Sequence, residues 1–393
     1  MYQSSGGGEF IYVAACVDRI SVKPAPAALL KMVQDVSLNQ LLINLSYCLS
    51  RPTGTTTYAL NLLPYLHPLE PTLLVSQNLS PYSCHLVPTG LTPEQGLKGH
   101  LQRLVWTQLQ LPRIYQQLRS RLLFSPIPEA PLNTRSRYIV TVHDLIPLRF
   151  PNRRSPLTAY CRYYLPQILG QAQHILCDSI ATAKDITDFF HIRADKITPI
   201  LLAHDANDFC FLDLPASNYF LYIGRHDPYK NLHRLIDSFA ALPGGRDYEL
   251  WIAGPRDRRY TPILQAQVRQ LGLTHQVKFL DYVPYDQLPT IINQAIALVF
   301  PTLWEGFGLP VLEAMACGTP VITSNLSSLP EVTGDAALLV NPYNIGEITE
   351  AMQAVANDSA LRSRLRTLGL NQASQFSWAK TGQATVEVLK GFL

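Results

Sequence analysis

The sequence predicts an α/β protein of two doubly wound, Rossmann-like halves that face each other across a cleft. Three observations carry that prediction. A chain of 393 residues is long enough for two domains with separate cores. Short apolar runs alternate with helical segments in two successive series, which is the order of a parallel sheet with crossover helices. A polar stretch at 205–217 separates the series and places the linker between them.

Taken in order, residues 1–37 read as an N-terminal extension with Ser4-Ser-Gly-Gly-Gly and Lys23-Pro-Ala-Pro-Ala, the one stretch whose composition allows disorder. Residues 38–210 form the first half, with short buried strands expected at 41–45, 73–75, 138–142 and 175–177. Residues 211–377 form the second, with strands at 219–223, 249–253, 277–280, 297–300, 320–323 and 337–340. A last helix is expected over 378–393, after Phe376-Ser-Trp. Neither half carries G-x-G-x-x-G after its first strand, which argues against a nicotinamide dehydrogenase. Ligands of doubly wound sheets bind beyond the C-terminal strand ends, so the cleft is where a ligand is expected.

A hydrophobic fraction of 47% with 16% charged residues describes a globular chain with much buried surface. Seven scattered cysteines without a C-x-x-C pair signal neither a disulfide framework nor a zinc site, and a reducing cytoplasm is the expected setting. No apolar run approaches the roughly 18 residues of a membrane span. The net charge of +3 conceals an asymmetry, because residues 1–200 hold 18 Lys/Arg against 11 Asp/Glu and residues 201–393 hold 14 against 18. Arg113, Arg119, Arg121, Arg135, Arg137, Arg153 and Arg154 carry much of the excess. Two readings stand: peripheral contact with the inner face of a membrane or an anionic lipid-linked acceptor, or a solvated basic face with no partner. No motif supports nucleic-acid binding.

The most informative stretch lies between 295 and 324. The apolar run 295–300 reads as a buried strand, residues 311–316 as the start of a helix, and Glu305 and Glu313 stand eight apart around the turn. Gly306 and Gly308 allow close backbone approach there, and Pro310 suits a first helical turn. Free N–H groups at a helix N-terminus attract phosphate, and flanking carboxylates accept hydrogen bonds from sugar hydroxyls. A sugar diphosphate fits this arrangement.

Phe307-Gly-Leu-Pro-Val-Leu-Glu-Ala-Met-Ala-Cys-Gly-Thr-Pro-Val-Ile, then Ser328-Leu-Pro-Glu-Val and residues 336–342, resemble in order the C-terminal pattern of retaining glycosyltransferases of the GT-B fold. The resemblance is to family 4, the glycosyl transferases group 1, and covers about 350 residues, so it speaks more firmly for fold than for substrate. It implies an N-terminal acceptor half, a C-terminal half that holds the donor nucleotide, and a last helix that crosses back. By the same resemblance Glu305 contacts donor-sugar hydroxyls, Glu313 the nucleotide ribose, and Gly306, Phe307, Gly308 and Leu309 the donor.

Other motifs extend it. Gly224-Arg-His-Asp-Pro-Tyr-Lys-Asn follows the first strand of the second half, where Arg225 and Lys230 would stabilise charge on a departing nucleoside diphosphate. His143 and Asp144 end an apolar strand, and the resemblance implies that His143 meets the donor sugar near its reacting carbon. A structural hydrogen bond is the alternative for that pair. Gly54, in Thr53-Gly-Thr-Thr-Thr, stands where the family has a Gly-rich loop; Thr55, Thr56 and Thr57 replace a second Gly and a basic residue, and a plain helix cap by Thr53 or Thr55 is equally open. Asp178-Ser179 reads as an N-cap.

The chain has no D-x-D pair, so metal-independent transfer without a cofactor is expected, the leaving phosphate itself taking the acceptor proton. The implied activity is retaining hexosyl transfer from a nucleoside-diphosphate sugar to a glycan or lipid-linked acceptor in surface polysaccharide assembly. The His-Asp strand and Ser125-Pro-Ile-Pro resemble mannosyl- and rhamnosyltransferase-like members, which ranks GDP-mannose first as donor. A UDP-sugar-dependent glucosyl- or N-acetylhexosaminyltransferase and a catalytically silent nucleotide-sugar-binding partner are the alternatives.

Overall fold

Two all-parallel sheets organise the chain. The computed structural model describes residues 40–48, 54–152 and 154–393. The expected N-terminal extension at 1–37, residues 50–53 before Gly54, and Arg153 lie outside the described residues.

The first sheet contains β1 (Leu41–Asn44), β2 (Thr72–Val75), β3 (Ser83–Leu86), β4 (Leu122–Ser125), β5 (Tyr138–Val142), β6 (His174–Cys177) and β7 (Ile197–Pro199), in the spatial order β3-β2-β1-β4-β5-β6-β7. The second contains β8 (Tyr219–Ile223), β9 (Glu249–Ala253), β10 (Val277–Leu280), β11 (Ala297–Phe300), β12 (Val321–Ser324) and β13 (Leu338–Val340), in the order β10-β9-β8-β11-β12-β13. In each sheet the order reverses beside the first strand, between β1 and β4 and between β8 and β11. Those reversals leave crevices at the strand ends, the places where doubly wound folds bind ligands.

The central strands are buried on both faces, which their unbroken apolar runs require. Leu41, Leu42 and Ile43 of β1 and all of Ala297–Phe300 in β11 are shut from solvent. All ten expected strands are present within a residue or two of their expected ends. Three were not expected. β3 and β7 are sheet edges, and an edge strand such as Ser83-Cys-His-Leu, half exposed, carries no apolar pattern. β4 is buried but only four residues long and runs into Pro126.

The helix Trp378–Lys390 crosses back onto the first half and packs on the helix Gly54–Leu66. Ser377 caps it through its side chain, and Thr381 Oγ1 donates to Leu201 O at 2.8 Å. Gly382 is required there, since a Cβ would fall 2.4 Å from the Tyr65 side chain. The two halves are therefore tied on one side by this helix and meet on the other at the cleft.

Candidate active site

Both flanks of the second sheet's reversal carry charge. β8 leads through Gly224 and Arg225 to the single helical turn Pro228–Lys230, and β11 leads to Glu305. Because β8 and β11 are neighbours, Lys230 Nζ reaches Glu305 Oε1 at 2.7 Å, with both side chains nearly buried. The Lys230 ammonium also sits 5.4 Å from the centroid of the Phe300 ring. Arg225 stands apart, with a side chain 66% exposed whose Nε bonds Asp227 Oδ2 at 2.8 Å. The two expected diphosphate cations are thus each paired with a carboxylate, and an incoming diphosphate would compete for them.

From Glu305 the chain turns through Gly306 and Gly308 into the helix Leu309–Ala316. Gly308 has φ +106°, a region that glycine adopts without strain, and a Cβ there would meet Leu329 at 2.6 Å. Gly306 is glycine for another reason: a Cβ would lie 2.0 Å from the carbonyl oxygen of His143, in the other half. The close approach expected of Gly306 is therefore to protein backbone across the cleft. Phe307 is buried against Phe376, and its carbonyl accepts from Ser328 Oγ, so its ring is core and only its main chain borders the cleft. Leu309 and Glu313 are half-buried on the helix that follows. Glu313 has no ion-pair partner among the described residues, and burial pushes its carboxyl up to about 7.

On the first sheet, β5 delivers His143 and Asp144. Asp144 Oδ1 accepts from Ile146 N at 3.0 Å, closing a local turn, and burial raises its carboxyl above the usual range. It does not pair with the His143 ring. Asp178 does: His143 Nδ1 lies 2.7 Å from Asp178 Oδ2, while Nε2 lies 2.9 Å from the carbonyl of Pro126. Tyr58 packs edge-on against the same imidazole and is itself bonded to Thr141. The expected N-cap role belongs to Ser179 alone, whose Oγ accepts from Thr182 N; Asp178 is a partner of His143 that local sequence did not announce. Gly54 opens its helix, and among the described residues no atom lies within 4 Å of where a Cβ would stand.

The halves also touch through residues the motifs did not single out. Thr182 Oγ1 donates to Gly306 O at 3.3 Å. Glu331 accepts from the main-chain N–H groups of Ile180 and Ala181, each at 2.9 Å, so a carboxylate of the second half caps the first turn of the helix Ile180–Phe190 in the first. Trp304 Nε1 donates to Asp185 Oδ2 at 3.0 Å, and the Arg149 guanidinium lies 4.0 Å over the Trp304 ring while bonding Asp185. The outcome gathers His143, Asp144, Lys230, Glu305 and Gly306 across the cleft, while Gly224 and Arg225 follow β8 and Glu313 lies on the helix Leu309–Ala316.

Comparison with known proteins agrees with this architecture. Residues 52–206 match the family model described as Glycosyltransferase Family 4, and residues 212–371 match Glycosyl transferases group 1. The chain is 32% identical over 268 residues to O-antigen chain mannosyltransferase B of Escherichia coli, a match covering 65% of this chain and 70% of that one. Of the serotype-specific mannosyltransferase WbdA of Escherichia coli, 28% identical, it spans only about a third of the length. Sucrose-phosphate synthase from Thermosynechococcus elongatus superposes with a TM-score of 0.72 at 19% identity, over 90% of this chain and 99% of that one. HepE of Anabaena, solved in complex with UDP-glucose, gives 0.70 at 17%, over 89% and 99%. Both likenesses speak for the fold. With two all-parallel sheets, a cleft between them and a returning last helix, the chain belongs to the group 1, family 4 glycosyltransferases of the GT-B fold.

Proposed function

We propose that this glycosyltransferase is a retaining, metal-independent hexosyltransferase of surface polysaccharide assembly, with GDP-mannose ranked first as donor and a glycan or lipid-linked molecule as acceptor. The observation that carries the reading is the Lys230–Glu305 pair at the reversal of the second sheet, opposite the main chain of His143. A sugar diphosphate seated there would set its phosphates against Lys230 and Arg225, its hydroxyls against Glu305, and its ribose against Glu313. As the bond from the anomeric carbon to the diphosphate breaks, the two cations stabilise the departing charge, and a phosphate oxygen takes the proton of the attacking acceptor hydroxyl. The acceptor arrives on the face the phosphate leaves, so the anomeric configuration is kept. Cationic side chains in place of a D-x-D pair support catalysis without a metal. The similarity to O-antigen mannosyltransferase B favours mannose.

The fold shared with HepE, solved with UDP-glucose, favours a second reading in which the donor is a UDP-sugar. Hydrolysis of GDP-mannose, UDP-glucose and UDP-N-acetylglucosamine, followed in excess EDTA without an acceptor, separates the two. Fastest turnover of GDP-mannose is the expected result. Preference for a UDP-sugar would overturn the donor ranking, and nucleotide binding with no turnover of any donor would mark a silent binding partner. Activity abolished by EDTA and restored by a divalent ion would reject metal independence, and an inverted anomer by NMR would reject retention.

A further inference from the structure

Among the described residues, two pairs of a Lys or Arg with a carboxylate are nearly closed to solvent on both sides: Lys230–Glu305 at the donor turn and Arg103–Glu129 in the first half. The second joins the helix Gly96–Leu109 to the segment that follows β4. Arg103 Nε and Nη2 donate to the two oxygens of Glu129, each at 2.7 Å, and Nη1 donates to Leu91 O at 3.0 Å. Such a pair adds little net stability, because taking both charges out of water offsets their attraction. What it supplies is geometry, since a two-pronged contact allows one placement of guanidinium against carboxylate.

Glu129 closes the run Pro126-Ile-Pro-Glu. Its two prolines have fixed φ and no N–H, so the run is anchored through its carbonyls and the Glu129 side chain. Pro128 O accepts from the Tyr160 hydroxyl, and Ile127 O accepts from Glu129 N at 2.8 Å. Just beyond, Gln108 of the same helix as Arg103 donates to Ala130 O at 3.0 Å and accepts from Leu132 N at 2.9 Å. At the other end Pro126 O lies 2.9 Å from His143 Nε2. The helix Gly96–Leu109 thus holds one end of the run, and His143 meets the other.

We propose that Arg103 and Glu129 are positioning residues for the transfer reaction: through the Pro126–Glu129 run they keep the Pro126 carbonyl on Nε2 of His143 and so fix the imidazole at the cleft. The proposal rests on the transferase reading, in which His143 borders the sugar diphosphate. Asp178 and Asp144 are the charged groups that face the ring, and Tyr58 packs edge-on against it. A carbonyl on Nε2 favours the protonated ring, so a carbonyl that drifts away lowers the histidine's titration.

Arg103→Met combined with Glu129→Leu tests it. Exchanging a buried ion pair for apolar side chains of similar size is often neutral or stabilising for the fold. Both charges leave together, so a shift at His143 reports where the carbonyl stands. The His143 titration, followed by NMR on the full chain, should fall by about half to one pH unit, the worth of one hydrogen bond. Hydrolysis of whichever of GDP-mannose, UDP-glucose and UDP-N-acetylglucosamine the native protein turns over fastest should lose about ten- to a hundredfold in kcat. Its KM should stay within about twofold, and its pH profile should move with the histidine. Tyr160→Phe removes one bond to Pro128 O and should shift the titration the same way by less; it carries the test if the double variant does not fold. An unchanged His143 titration in the folded variant would overturn the proposal. So would a fall in kcat without that shift, the mark of a merely structural pair. Absence of turnover in the native protein would count against the transferase reading alone, because the titration needs no substrate.

Discussion

The imidazole of His143 and the carboxylate of Asp178, at the ends of the neighbouring strands β5 and β6, lie 2.7 Å apart. On its other side the ring meets the Pro126 carbonyl, so both ring nitrogens face acceptors, an arrangement that favours the protonated ring. Burial by itself would lower the histidine's pKa, and the negative charge and hydrogen bond of Asp178 outweigh it, leaving the value above 6.5. The stability this pair contributes is full below the ordinary histidine range and is lost as pH rises through the higher folded value. Asp178→Asn should lower the His143 titration, because burial is then opposed only by the Pro126 carbonyl and the charge of Asp144. Turnover should fall about ten- to a hundredfold, as expected for a lost charge-assisted hydrogen bond of about 1.5–3 kcal/mol. A His143 titration by NMR that is the same in both proteins would reject the arrangement.

Gly306 sets the distance between the halves. Gly306→Ala would place a methyl 2.0 Å from His143 O, and relief requires the cleft to open. The variant should lose about 1–3 kcal/mol of stability, the cost of an overpacked contact, and most of its turnover. Glu331→Gln weakens the clasp on Ile180 and Ala181 from the opposite side and should raise the donor KM about fivefold. Small-angle scattering in which neither variant expands would separate these contacts from cleft closure.

Lys230 and Arg225 should not contribute equally. Lys230 is nearly buried and leaves Glu305 without its cation when removed, whereas Arg225 is 66% exposed and screened by water. Lys230→Ala is expected to weaken nucleoside-diphosphate binding by about ten- to a hundredfold, and Arg225→Ala by about two- to fivefold. Calorimetry on the two folded variants measures both, and unchanged affinity in both would remove the diphosphate from this loop.

Glu313 carries the pH dependence. Its folded value of about 7 stands above the 4.5 of a free glutamate because burial disfavours the charge. Stability therefore declines as pH rises from about 4.5 to about 7 and is level above. An ionised carboxylate is the better acceptor for two ribose hydroxyls, so nucleotide affinity should rise through pH 7. Glu313→Gln should flatten that rise, bind the bare nucleotide less well at pH 8 and melt higher there than the native protein. Glu305→Ala should spare bare-nucleotide binding and reduce transfer from the intact donor. Equal loss of nucleotide binding in both would show the two roles wrongly divided.

Much of this molecule was legible in the chain itself. Runs such as Tyr138–Val142 and Ala297–Phe300 are buried on both faces, so each is a continuous apolar word bounded by turn residues, and local composition suffices to place it. The Glu305–Glu313 spacing and the Arg225–Lys230 loop are likewise local, because each hangs from one strand end. What local sequence could not hold is any relation between distant positions. Asp178 reads as a helix cap until the adjacency of β5 and β6 brings it to His143. Glu331 stands in the Ser328-Leu-Pro-Glu-Val run with nothing local to mark it, and only the meeting of the halves brings it to Ile180. Gly306 looks like room for a phosphate until the His143 carbonyl occupies the space. Hydrophobic period and turn chemistry act over a few residues, whereas these contacts join positions 35 to 163 residues apart, and only the adjacency of strands within a sheet and the packing of one half against the other decide them.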